Sequence, residues 1–581
     1  MTVLDLDFAA LSRAYAEKSL TPADVISQIK ERIAETGQHN AWIHVLSEAE
    51  LEPYIERLSS FAPAALPLWG IPFAIKDNID LAGIPTTAAC PDFSTVPEAS
   101  ATVVAKLVEA GAIPIGKTNL DQFATGLVGT RSPYGPTRNA LNSAMVSGGS
   151  SAGSAVAVKL GLCSFSLGTD TAGSGRVPAA LNGLIGFKPT RGWLSTSGVV
   201  PACRTLDCVS IFANSVEEAR IVANIAGGFD TTDAYARDIT FSGFDTAKPR
   251  YGLLDDVALQ ACDKAHKSAY DSFVAQLPLA NTCDTAFLLE AAELLYQGPW
   301  LAERYAGLTD FLRSNRDSFL PTTLGIIEGG VRFSAVEAFA AQYKLADLHR
   351  QTAQLFAAID VLVLPTVPTN YLIDEVERDP LSTNAHLGVY TNFVNLLDLC
   401  AIAIPADDLP DGMPYGVTLV TTAGRDHALL DLAESLLSCS RDIAPSSGLC
   451  ARPGEFLLAV CGAHLTGQPL NGQLTDRGGY LVRQGTTSEH YRLYALPDNK
   501  RPALIRDTEN GQPVEVEVWS IPAHTVGSFM QGVLPPLGIG SVELSDGVWV
   551  NGFIAEPLAT EGSSEITAFG GWKGYLAAVK A

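Results

Sequence analysis

Positive charge is scarce in this sequence, which has 39 Lys and Arg residues against 63 Asp and Glu residues and a formal net charge of −24. A chain this acidic is repelled by phosphate backbones and anionic lipid headgroups, so we expect it to bind neither nucleic acid nor a membrane surface. Long hydrophobic runs are also missing, because no stretch approaches about 18 uninterrupted apolar residues, and no membrane-spanning helix is expected. The N-terminal segment lacks a basic region followed by an apolar one, so no secretory signal is expected.

Cysteine is sparse and scattered, with ten residues spread over 581 positions. The closest pair, Cys203 and Cys208, has neither the Cys-x-x-Cys spacing of a zinc site nor a histidine beside it. This usage predicts reduced, mostly buried thiols in a cytoplasmic protein. We therefore expect no metal centre.

The composition and the periodicity of the chain predict an α/β protein of more than one domain. Apolar residues make up 47% of the sequence, which suits a globular protein, and 581 residues predict two or more domains. Between Leu68 and about Gly198, short apolar runs alternate with helical patterns, which is typical of a sheet covered by helices on both faces. Near the start, Thr21 followed by Pro22 predicts the N-cap and the first position of a helix.

The pattern changes near position 440. Residues 441–455 are rich in Ser, Pro and Gly and lack periodicity, which is typical of a linker. Strand patterns separated by turn residues follow, in "GYLVRQG", "YRLYALP", "PALIRD", "VEVEVWSIP" and "GVWVNGFIAEP". We therefore predict a domain at 1–440, a linker at 441–455 and a small β-rich domain at 456–581.

Two stretches rich in glycine and hydroxyl residues, "SGGSSAGSAV" at 147–156 and "GTDTAGSGRVPAA" at 168–180, carry the strongest functional signal. Neither contains the Gly-Lys-Ser/Thr of a phosphate-binding loop or the spacing of a dinucleotide fingerprint, so no nucleotide cofactor is predicted. A flexible linker is excluded as well, since an apolar segment follows the first stretch directly. Two interpretations remain: tight turns that pack a helix against a sheet, or a catalytic loop.

A third segment, "PLWGIPFAIKDNID" at 67–80, favours the catalytic interpretation. Lys76 ends an apolar, strand-like run, and burial there would lower the pKa of its amine. A neutral lysine can take a proton from a serine, which is a weak nucleophile without a base. Glycines beside the serines would let backbone N–H groups converge on an oxyanion. From the residues alone, a serine hydrolase with a Ser–Ser–Lys relay is therefore conceivable.

Together, "GIPFAIKDN", "SGGSSAGSAVAV" and "LGTDTAGSGRVPAALNGLIGFKPTRG" resemble the ordered motifs of the amidase signature family. The resemblance implies the fold of that family, a mixed β-sheet covered by helices, and amide hydrolysis through an acyl-enzyme. By position, it implies that Lys76 is the base, that Ser150 is the bridging serine with a cis peptide bond, and that Ser174 is the nucleophile.

The same resemblance implies an oxyanion hole made of three backbone N–H groups, those of Thr171, Ala172 and Gly173. Ala172 stands where family members usually carry glycine, and its methyl group does not remove the N–H. The remaining polar residues of these stretches are interpreted as structural. We expect Asp170 and Arg176 to brace the loop, and the hydroxyls of Ser151 and Ser154 to cap a helix start.

Substrate recognition is predicted from a segment outside these motifs, "YQGPWLAERYAGL" at 296–308. From composition alone, it is an exposed helix with a solvated arginine. Together with "DQFATGLVGTRSPYG" at 121–135, however, it resembles the allophanate-hydrolysing branch of the family. Allophanate is a urea that bears a carboxylate, and a guanidinium binds a carboxylate through two hydrogen bonds and stays charged when buried. We therefore assign recognition to Arg304 with Tyr296.

The β-rich tail is also similar to that branch. "GAHLTGQPLNGQLTDRGG" and "YRLYALPD" resemble its C-terminal domain, which has a γ-glutamylcyclotransferase-like fold. The resemblance implies that the first domain releases ammonia and leaves N-carboxycarbamate, and that the tail assists its decarboxylation. His464 is the residue expected to act there, since histidine titrates near neutrality. A packed or capping histidine is an equally good interpretation.

The resemblance implies partners as well as an activity. Allophanate would come from a urea carboxylase, expected as a separate protein because the chain has no biotinyl motif, and a homodimer is expected. Two rival functions remain. One is an amidase of broad specificity, in which Arg304 only decorates a helix. The other is an amidotransferase-type assembly subunit, which the net charge of −24 and the extra tail disfavour.

Overall fold

The computed structural model describes residues 5–440, 455–497, 500–545 and 547–580. The chain divides into two compact units, Met1–Asp442 and Ile443–Ala581. Each unit has a hydrophobic core of its own. The predicted linker at 441–455 lies outside the described residues apart from Glu455.

One mixed sheet forms the centre of the first unit. Its eleven strands among the described residues are β1 (Trp42–Val45), β2 (Pro72–Lys76), β3 (Ile113–Thr118), β4 (Phe165–Asp170), β5 (Ile185–Lys188), β6 (Cys208–Ala213), β7 (Tyr251–Leu253), β8 (Ala280–Thr282), β9 (Val361–Pro365), β10 (Leu399–Pro405) and β11 (Gly416–Thr422). Their spatial order is β1-β3-β2-β4-β6-β5-β10-β11-β9-β7-β8. Strand β2 is parallel to both β3 and β4, whereas β6 runs antiparallel to β4 and β5.

Both faces of this sheet are covered. Strands β2 to β6 and β9 are buried at every position. Because successive side chains of a strand point to opposite faces, such strands have no solvated face. The predicted α/β fold, with a mixed sheet and helices around it, is confirmed.

The first unit has helices from its N-terminus to its last described residue. They are α1 (Phe8–Ala16), α2 (Pro22–Glu35), α3 (Glu48–Ser59), α4 (Thr102–Glu109), α5 (Ala152–Lys159), α6 (Val177–Leu181), α7 (Val216–Ala226), α8 (Lys264–Val274), α9 (Ala286–Gln297), α10 (Trp300–Ser314), α11 (Pro321–Glu328), α12 (Ala335–Ala358), α13 (Ile373–Arg378), α14 (Ser382–Leu387), α15 (Phe393–Leu396) and α16 (Asp426–Ser440). The N-cap predicted at Thr21 is confirmed, because its hydroxyl accepts the N–H of Asp24 at 3.2 Å and the Asp24 carboxylate accepts the N–H of Thr21 at 2.9 Å.

The second unit is rich in β-structure, as predicted. Its strands are β12 (Glu455–Val460), β13 (Tyr480–Thr486), β14 (Tyr491–Ala495), β15 (Pro502–Arg506), β16 (Glu515–Pro522), β17 (Leu537–Glu543), β18 (Trp549–Ala555) and β19 (Ser564–Glu565), and its helices are α17 (Gly472–Thr475), α18 (Ala523–Met530) and α19 (Trp572–Lys580). A five-stranded sheet has the order β13-β16-β12-β18-β17, and a three-stranded sheet has the order β15-β14-β19. All five segments predicted as strands form strands, whereas β12, β17 and β19 were not predicted.

The described residues contain neither a candidate membrane span nor a candidate metal site. No helix in those ranges has both the length and the apolar composition that crossing a bilayer requires. Likewise, the described His, Cys, Asp and Glu side chains form no group of three or more that could hold a metal ion.

Candidate active site

The parallel strands β2 and β4 lie side by side and bring the predicted catalytic segments to one edge of the sheet. Ile75 pairs with Leu167, so Lys76 at the end of β2 lies close to the last residues of β4. The stretch containing Ser174 begins directly after β4, and the stretch containing Ser150 leads into α5. Carboxyl ends of neighbouring parallel strands are a common place for active sites in α/β proteins.

Lys76 is fully buried and contacts two hydroxyl groups. Its exposed fraction is 0%, and its Nζ lies 2.7 Å from Ser150 Oγ and 2.7 Å from Thr169 Oγ1. Burial lowers the pKa of Lys76 from 10.5 to about 7, although the carboxylates of Asp121, Asp207 and Asp170 oppose the shift. Near neutral pH, a large fraction of this amine is therefore uncharged and able to accept a proton from Ser150.

Ser150 is buried and packs against Asp121, a residue distant in the chain. The Gly149–Ser150 peptide bond is cis, and the Ser150 carbonyl accepts the N–H of Asp121 at 3.1 Å. A β-carbon at position 149 would lie only 2.1 Å from Asp121 Oδ2, so only glycine fits there. The glycine before the serine thus allows the close approach of Asp121.

The loop that carries Ser174 is held by a buried ion pair. Asp170 accepts hydrogen bonds from Arg176 Nε at 2.9 Å and Nη2 at 3.0 Å, and both side chains are fully buried. The same carboxylate accepts the N–H of Gly173 at 2.8 Å and that of Gly175 at 3.1 Å. The bracing role predicted for Asp170 and Arg176 is confirmed. Ser174, between the two glycines, is 4% exposed, and no hydrogen bond of the described residues joins its hydroxyl to Ser150.

The contact with Asp170 bears on the predicted oxyanion hole. The N–H of Gly173 is committed to this carboxylate, so it is not free to bind an oxyanion in this arrangement. The backbone is fixed there, since Gly173 has φ +130° and a β-carbon would lie 2.3 Å from Thr391 Oγ1. Thr391 also donates its hydroxyl to the Ala172 carbonyl at 2.8 Å.

Ser151 is the N-cap residue of α5, as predicted, but the prediction that the hydroxyls of Ser151 and Ser154 cap the helix start is wrong. The Ser151 hydroxyl donates to the Thr169 carbonyl at 3.0 Å and accepts the N–H of Thr169 at 3.3 Å. The Ser154 hydroxyl donates to the Leu167 carbonyl at 2.9 Å. Because the start of α5 packs directly against β4, the strand backbone supplies partners in place of the helix's own N–H groups.

Arg304 is buried in α10 and is not the solvated arginine that composition suggests. It is 2% exposed, and its Nη1 donates to Thr125 Oγ1 at 2.9 Å and to the Ala124 carbonyl at 3.3 Å. Its Nη2 is buried without a hydrogen-bond partner among the described residues. The guanidinium carbon lies 5.8 Å from the ring centroid of Tyr296, so the two residues predicted to recognise the substrate are in contact range.

Another buried arginine, Arg131, was not predicted from the sequence. It is 4% exposed, and its two terminal nitrogens donate to the carbonyls of Thr125 and Pro380, the first at 2.9 Å. Its Nε has no hydrogen-bond partner among the described residues. Burial lowers the pKa of Arg131, and the charge of nearby Arg304 acts in the same direction. The sequence did contain a signal for Arg131: it is the first charged residue after Asp121, ten positions earlier, in a segment that is otherwise uncharged.

Lys117, in the Gly-Lys-Thr of β3, is a second buried lysine near the edge of the sheet. Its Nζ lies 3.0 Å from Asp77, and both side chains are fully buried. It also donates to Thr86 Oγ1 at 2.8 Å. Lys117 therefore differs from Lys76: it pairs with a carboxylate and a threonine, whereas Lys76 contacts the predicted catalytic serine. We interpret Lys117 as structural.

His464 lies in the second unit beside a small cavity of about 90 Å³. Its Nε2 is 3.1 Å from Gln473 Oε1, and its ring stacks on Phe553 at a centroid distance of 5.0 Å. Burial lowers the pKa of His464 below its usual 6.5. Apolar side chains, including Phe529 and Phe553, line most of the cavity, together with His464, Gln473 and Arg501. The ring is thus packed, and it also borders a space for a small ligand.

The chain is similar to known proteins in both of its units. Residues 24–430 match the family described as Amidase, and residues 456–577 match the one described as Allophanate hydrolase C-terminal domain. The chain is 42% identical over 580 residues to urea amidolyase from Saccharomyces cerevisiae. The alignment covers 93% of this chain but only 31% of that relative. It therefore spans about a third of the length of that curated relative.

Solved structures give a match over nearly the full length. A structure of Kluyveromyces lactis allophanate hydrolase superposes with a TM-score of 0.77 at 40% identity, covering 98% of this chain and 99% of that chain. A more distant relative is a glutamyl-tRNA(Gln) amidotransferase component from Nitratidesulfovibrio vulgaris, 31% identical over 76% of this chain and 99% of that protein. That similarity extends over three quarters of the chain, whereas the similarity to the K. lactis protein includes the tail.

Proposed function

This chain belongs to the amidase family, and from that premise we propose that it hydrolyses the terminal amide of allophanate through an acyl-enzyme on Ser174. The observation that carries the proposal is the buried Lys76, whose pKa is lowered to about 7 and whose Nζ lies 2.7 Å from Ser150 Oγ. The name of the K. lactis relative and the match of the tail support allophanate as the substrate. No cofactor is needed for this chemistry.

In the proposed first step, Ser174 Oγ attacks the terminal amide carbonyl. Its proton passes to Ser150 Oγ while the proton of Ser150 passes to the neutral Nζ of Lys76. The tetrahedral oxyanion is bound by backbone N–H groups of Thr171 and Ala172 and by that of Ser174 itself. Gly173 is left out of this set because its N–H donates to Asp170.

Collapse of the tetrahedral intermediate breaks the C–N bond. The proton on Lys76 returns through Ser150 to the leaving nitrogen, which departs as ammonia. Water then attacks the acyl-enzyme with the same relay as base, and the products are free Ser174 and N-carboxycarbamate. The relay ends each half-reaction in its starting protonation state, so one amine serves as base and acid in turn.

Recognition of the substrate carboxylate is assigned to Arg304 with Tyr296. Arg304 is buried, and its Nη2 has no hydrogen-bond partner among the described residues. The charges of Asp207 and Glu303 help to keep it protonated without a direct ion pair, so its unused N–H groups can bind an anionic ligand. This distinguishes the proposal from an amidase of broad specificity, for which a buried unpaired guanidinium has no use.

Replacing Arg304 by alanine is expected to lower kcat/KM for allophanate by roughly 10- to 100-fold, because a charge-assisted pair contributes about 1.5–3 kcal/mol. Biuret, in which an amide replaces the carboxylate, should be affected much less. Ammonia release from both substrates is the measurement. Arg313→Ala is the matched control, since Arg313 lies on the same helix but is exposed and pairs with Asp310 at 3.1 Å. Equal losses on allophanate and biuret would show that Arg304 only supports the fold.

For the second unit, we propose that it speeds the decarboxylation of N-carboxycarbamate. Loss of carbon dioxide breaks a C–N bond and leaves an electron pair on nitrogen, which must be protonated. His464 lines a small, largely apolar cavity that also includes Arg501, and burial keeps its ring neutral near pH 7 by lowering its pKa. A neutral imidazole can relay the proton, and the arginine can hold a carboxylate.

The expected result for His464→Ala in the full chain is a slower release of carbon dioxide with an unchanged initial rate of ammonia release from the terminal amide. Truncation after position 450 should have the same effect, because Lys76, Ser150, Ser174 and Arg304 all belong to the first unit. The two products are followed separately with time. His490→Ala is the control, since His490 contacts Glu543 at 3.3 Å and does not line the cavity. A carbon dioxide time course unaltered by both changes would leave the tail without a chemical role.

Partners follow from the same proposal. A urea carboxylase is the expected source of allophanate, and the similarity to urea amidolyases supports that coupling. The cytoplasmic homodimer stays a prediction, which gel filtration with light scattering would test. The amidotransferase-type function is the second candidate, and the relative at 31% identity is the observation in its favour. Turnover of allophanate by the purified chain alone would exclude it.

A further inference from the structure

One short turn in the first unit, Phe123 to Thr125, lies between two buried arginines. Arg304 donates to the Thr125 hydroxyl at 2.9 Å and to the Ala124 carbonyl at 3.3 Å. From the other side, Arg131 donates to the Thr125 carbonyl at 2.9 Å. Thr125 is therefore the one residue in this turn that both guanidinium groups contact.

The backbone of this turn is in a costly conformation. Phe123 has φ +51° and Ala124 has φ +52°, and neither is glycine. A residue other than glycine is uncommon in the left-handed region and persists there only where its surroundings fix it. The Thr125 hydroxyl donates to the Phe123 carbonyl at 3.1 Å, and the N–H of Phe123 donates to the Ala88 carbonyl at 2.9 Å. Without its outside contacts, the turn should relax and carry the acceptors of Arg304 with it.

Arg131 is fixed at both ends. Its backbone N–H donates to Asp121 Oδ1 at 2.9 Å, and its terminal nitrogens donate to the carbonyls of Thr125 and Pro380. Neither Arg131 nor Arg304 has a carboxylate within ion-pair distance among the described residues. The charge of Arg304 lowers the pKa of Arg131, and the more distant carboxylate of Asp121 opposes that repulsion without a direct ion pair. Two like charges buried side by side without direct ion pairs call for a function.

We propose that Arg131 is a positioning residue for substrate specificity: by holding the Thr125 carbonyl, it fixes the strained turn whose acceptors orient the Arg304 guanidinium toward the substrate carboxylate. The direct contact is assigned to Arg304, because both terminal nitrogens of Arg131 already donate to backbone carbonyls. This inference rests on the proposed function, since it takes carboxylate recognition by Arg304 as given.

The test is the ratio of kcat/KM for allophanate to kcat/KM for biuret, two substrates that differ only in the carboxylate. Arg131→Lys keeps the charge, but a lysine ammonium lacks the planar guanidinium whose two terminal nitrogens donate to separate carbonyls. We expect it to lower the ratio on the order of 10- to 100-fold, mainly through KM for allophanate, as a displaced positioning group does. Arg138→Lys is the matched control, because Arg138 lies seven positions after Arg131, is only half-buried and also donates to a backbone carbonyl, that of Ser143.

A double-mutant cycle separates positioning from a general structural role. In an Arg304→Ala background, Arg131→Lys should change the ratio by less than about twofold, because its effect passes through Arg304. Thr125→Val, which removes the hydroxyl that Arg304 contacts, should lower the ratio even if Arg131→Lys fails to fold. An equal effect of Arg131→Lys with and without Arg304 would overturn the inference, as would an unchanged ratio in both Arg131→Lys and Thr125→Val.

The ratio measured on the unaltered chain distinguishes a failure of the proposed function from a failure of the role given to Arg131. A wild-type ratio near one would refute carboxylate recognition itself. A high wild-type ratio that survives Arg131→Lys and Thr125→Val would refute only the role given to Arg131.

Discussion

Replacing Ser174 by alanine is expected to abolish amide hydrolysis, with a loss in kcat on the order of 10⁶, the size seen when the nucleophile of a serine hydrolase is removed. The reason is geometric. Ser174 lies between Gly173 and Gly175, whose N–H groups are fixed on the Asp170 carboxylate, directly after strand β4. Substitution removes the attacking oxygen but leaves the ion pair of Asp170 and Arg176 that holds the loop. Neither Ser150 nor Lys76 replaces it, because both are fully buried.

Two measurements check this expectation. Rapid mixing should show an initial burst of ammonia in the unaltered chain if deacylation is slow, and trapping with hydroxylamine should release the acyl group; the Ser174→Ala variant should show neither. Ser166→Ala is the control, because Ser166 is a buried serine on β4, the strand that leads into the loop of Ser174, and its hydroxyl donates to the Ser154 carbonyl at 2.8 Å. If a folded Ser174→Ala protein kept a few per cent of the turnover, a different residue would be the nucleophile.

The fold was predictable from the sequence to the extent that local patterns specify it. The N-cap at Thr21 and the five predicted tail strands depend on neighbouring residues, and all of them are present. The strands missed in the tail show why the rest was not predictable. β12 begins at Glu455, the last residue of the predicted linker, and continues as an unbroken apolar run, and β17 contains two glycines, so neither has the alternation that indicates a strand.

The candidate site was predictable only where a motif carried it. Lys76 could be chosen because it ends an apolar run, and the pKa lowered by burial agrees with that choice. Contacts between distant segments could not be predicted in this way. Ser151 bonds to Thr169 on a strand, and Arg131 meets Arg304, 173 positions away, at Thr125. Sequence spacing does not encode such contacts, which arise when the sheet brings separate segments to one edge.

The second large effect is expected at Lys76, both on replacement and with pH. Lys76→Met should lower kcat by about 10²- to 10⁴-fold, because Ser150 then has no base to accept its proton. In the unaltered chain, kcat/KM should fall as pH decreases through about 7, the pKa to which burial lowers this amine. Below that pH the ammonium form dominates and cannot accept a proton, whereas above it the neutral amine dominates and the rate reaches a plateau.

Stability provides an independent readout of the same group. In the unfolded chain Lys76 has an ordinary pKa near 10.5, so between pH 7 and that value the unfolded state binds a proton that the folded state lacks. The free energy of unfolding of the unaltered chain should therefore rise with pH relative to that of Lys76→Met. The double variant Lys117→Met, Asp77→Asn is the control, since it removes another buried lysine together with its carboxylate partner, 3.0 Å away. In this double variant, kcat/KM should still fall as pH decreases through about 7. Two results together would contradict the assignment: a kcat/KM that does not fall below pH 7 in the unaltered chain, and a free energy of unfolding with the same pH dependence in the unaltered chain and in Lys76→Met. Lys76 would then stay charged, and another group would be the base.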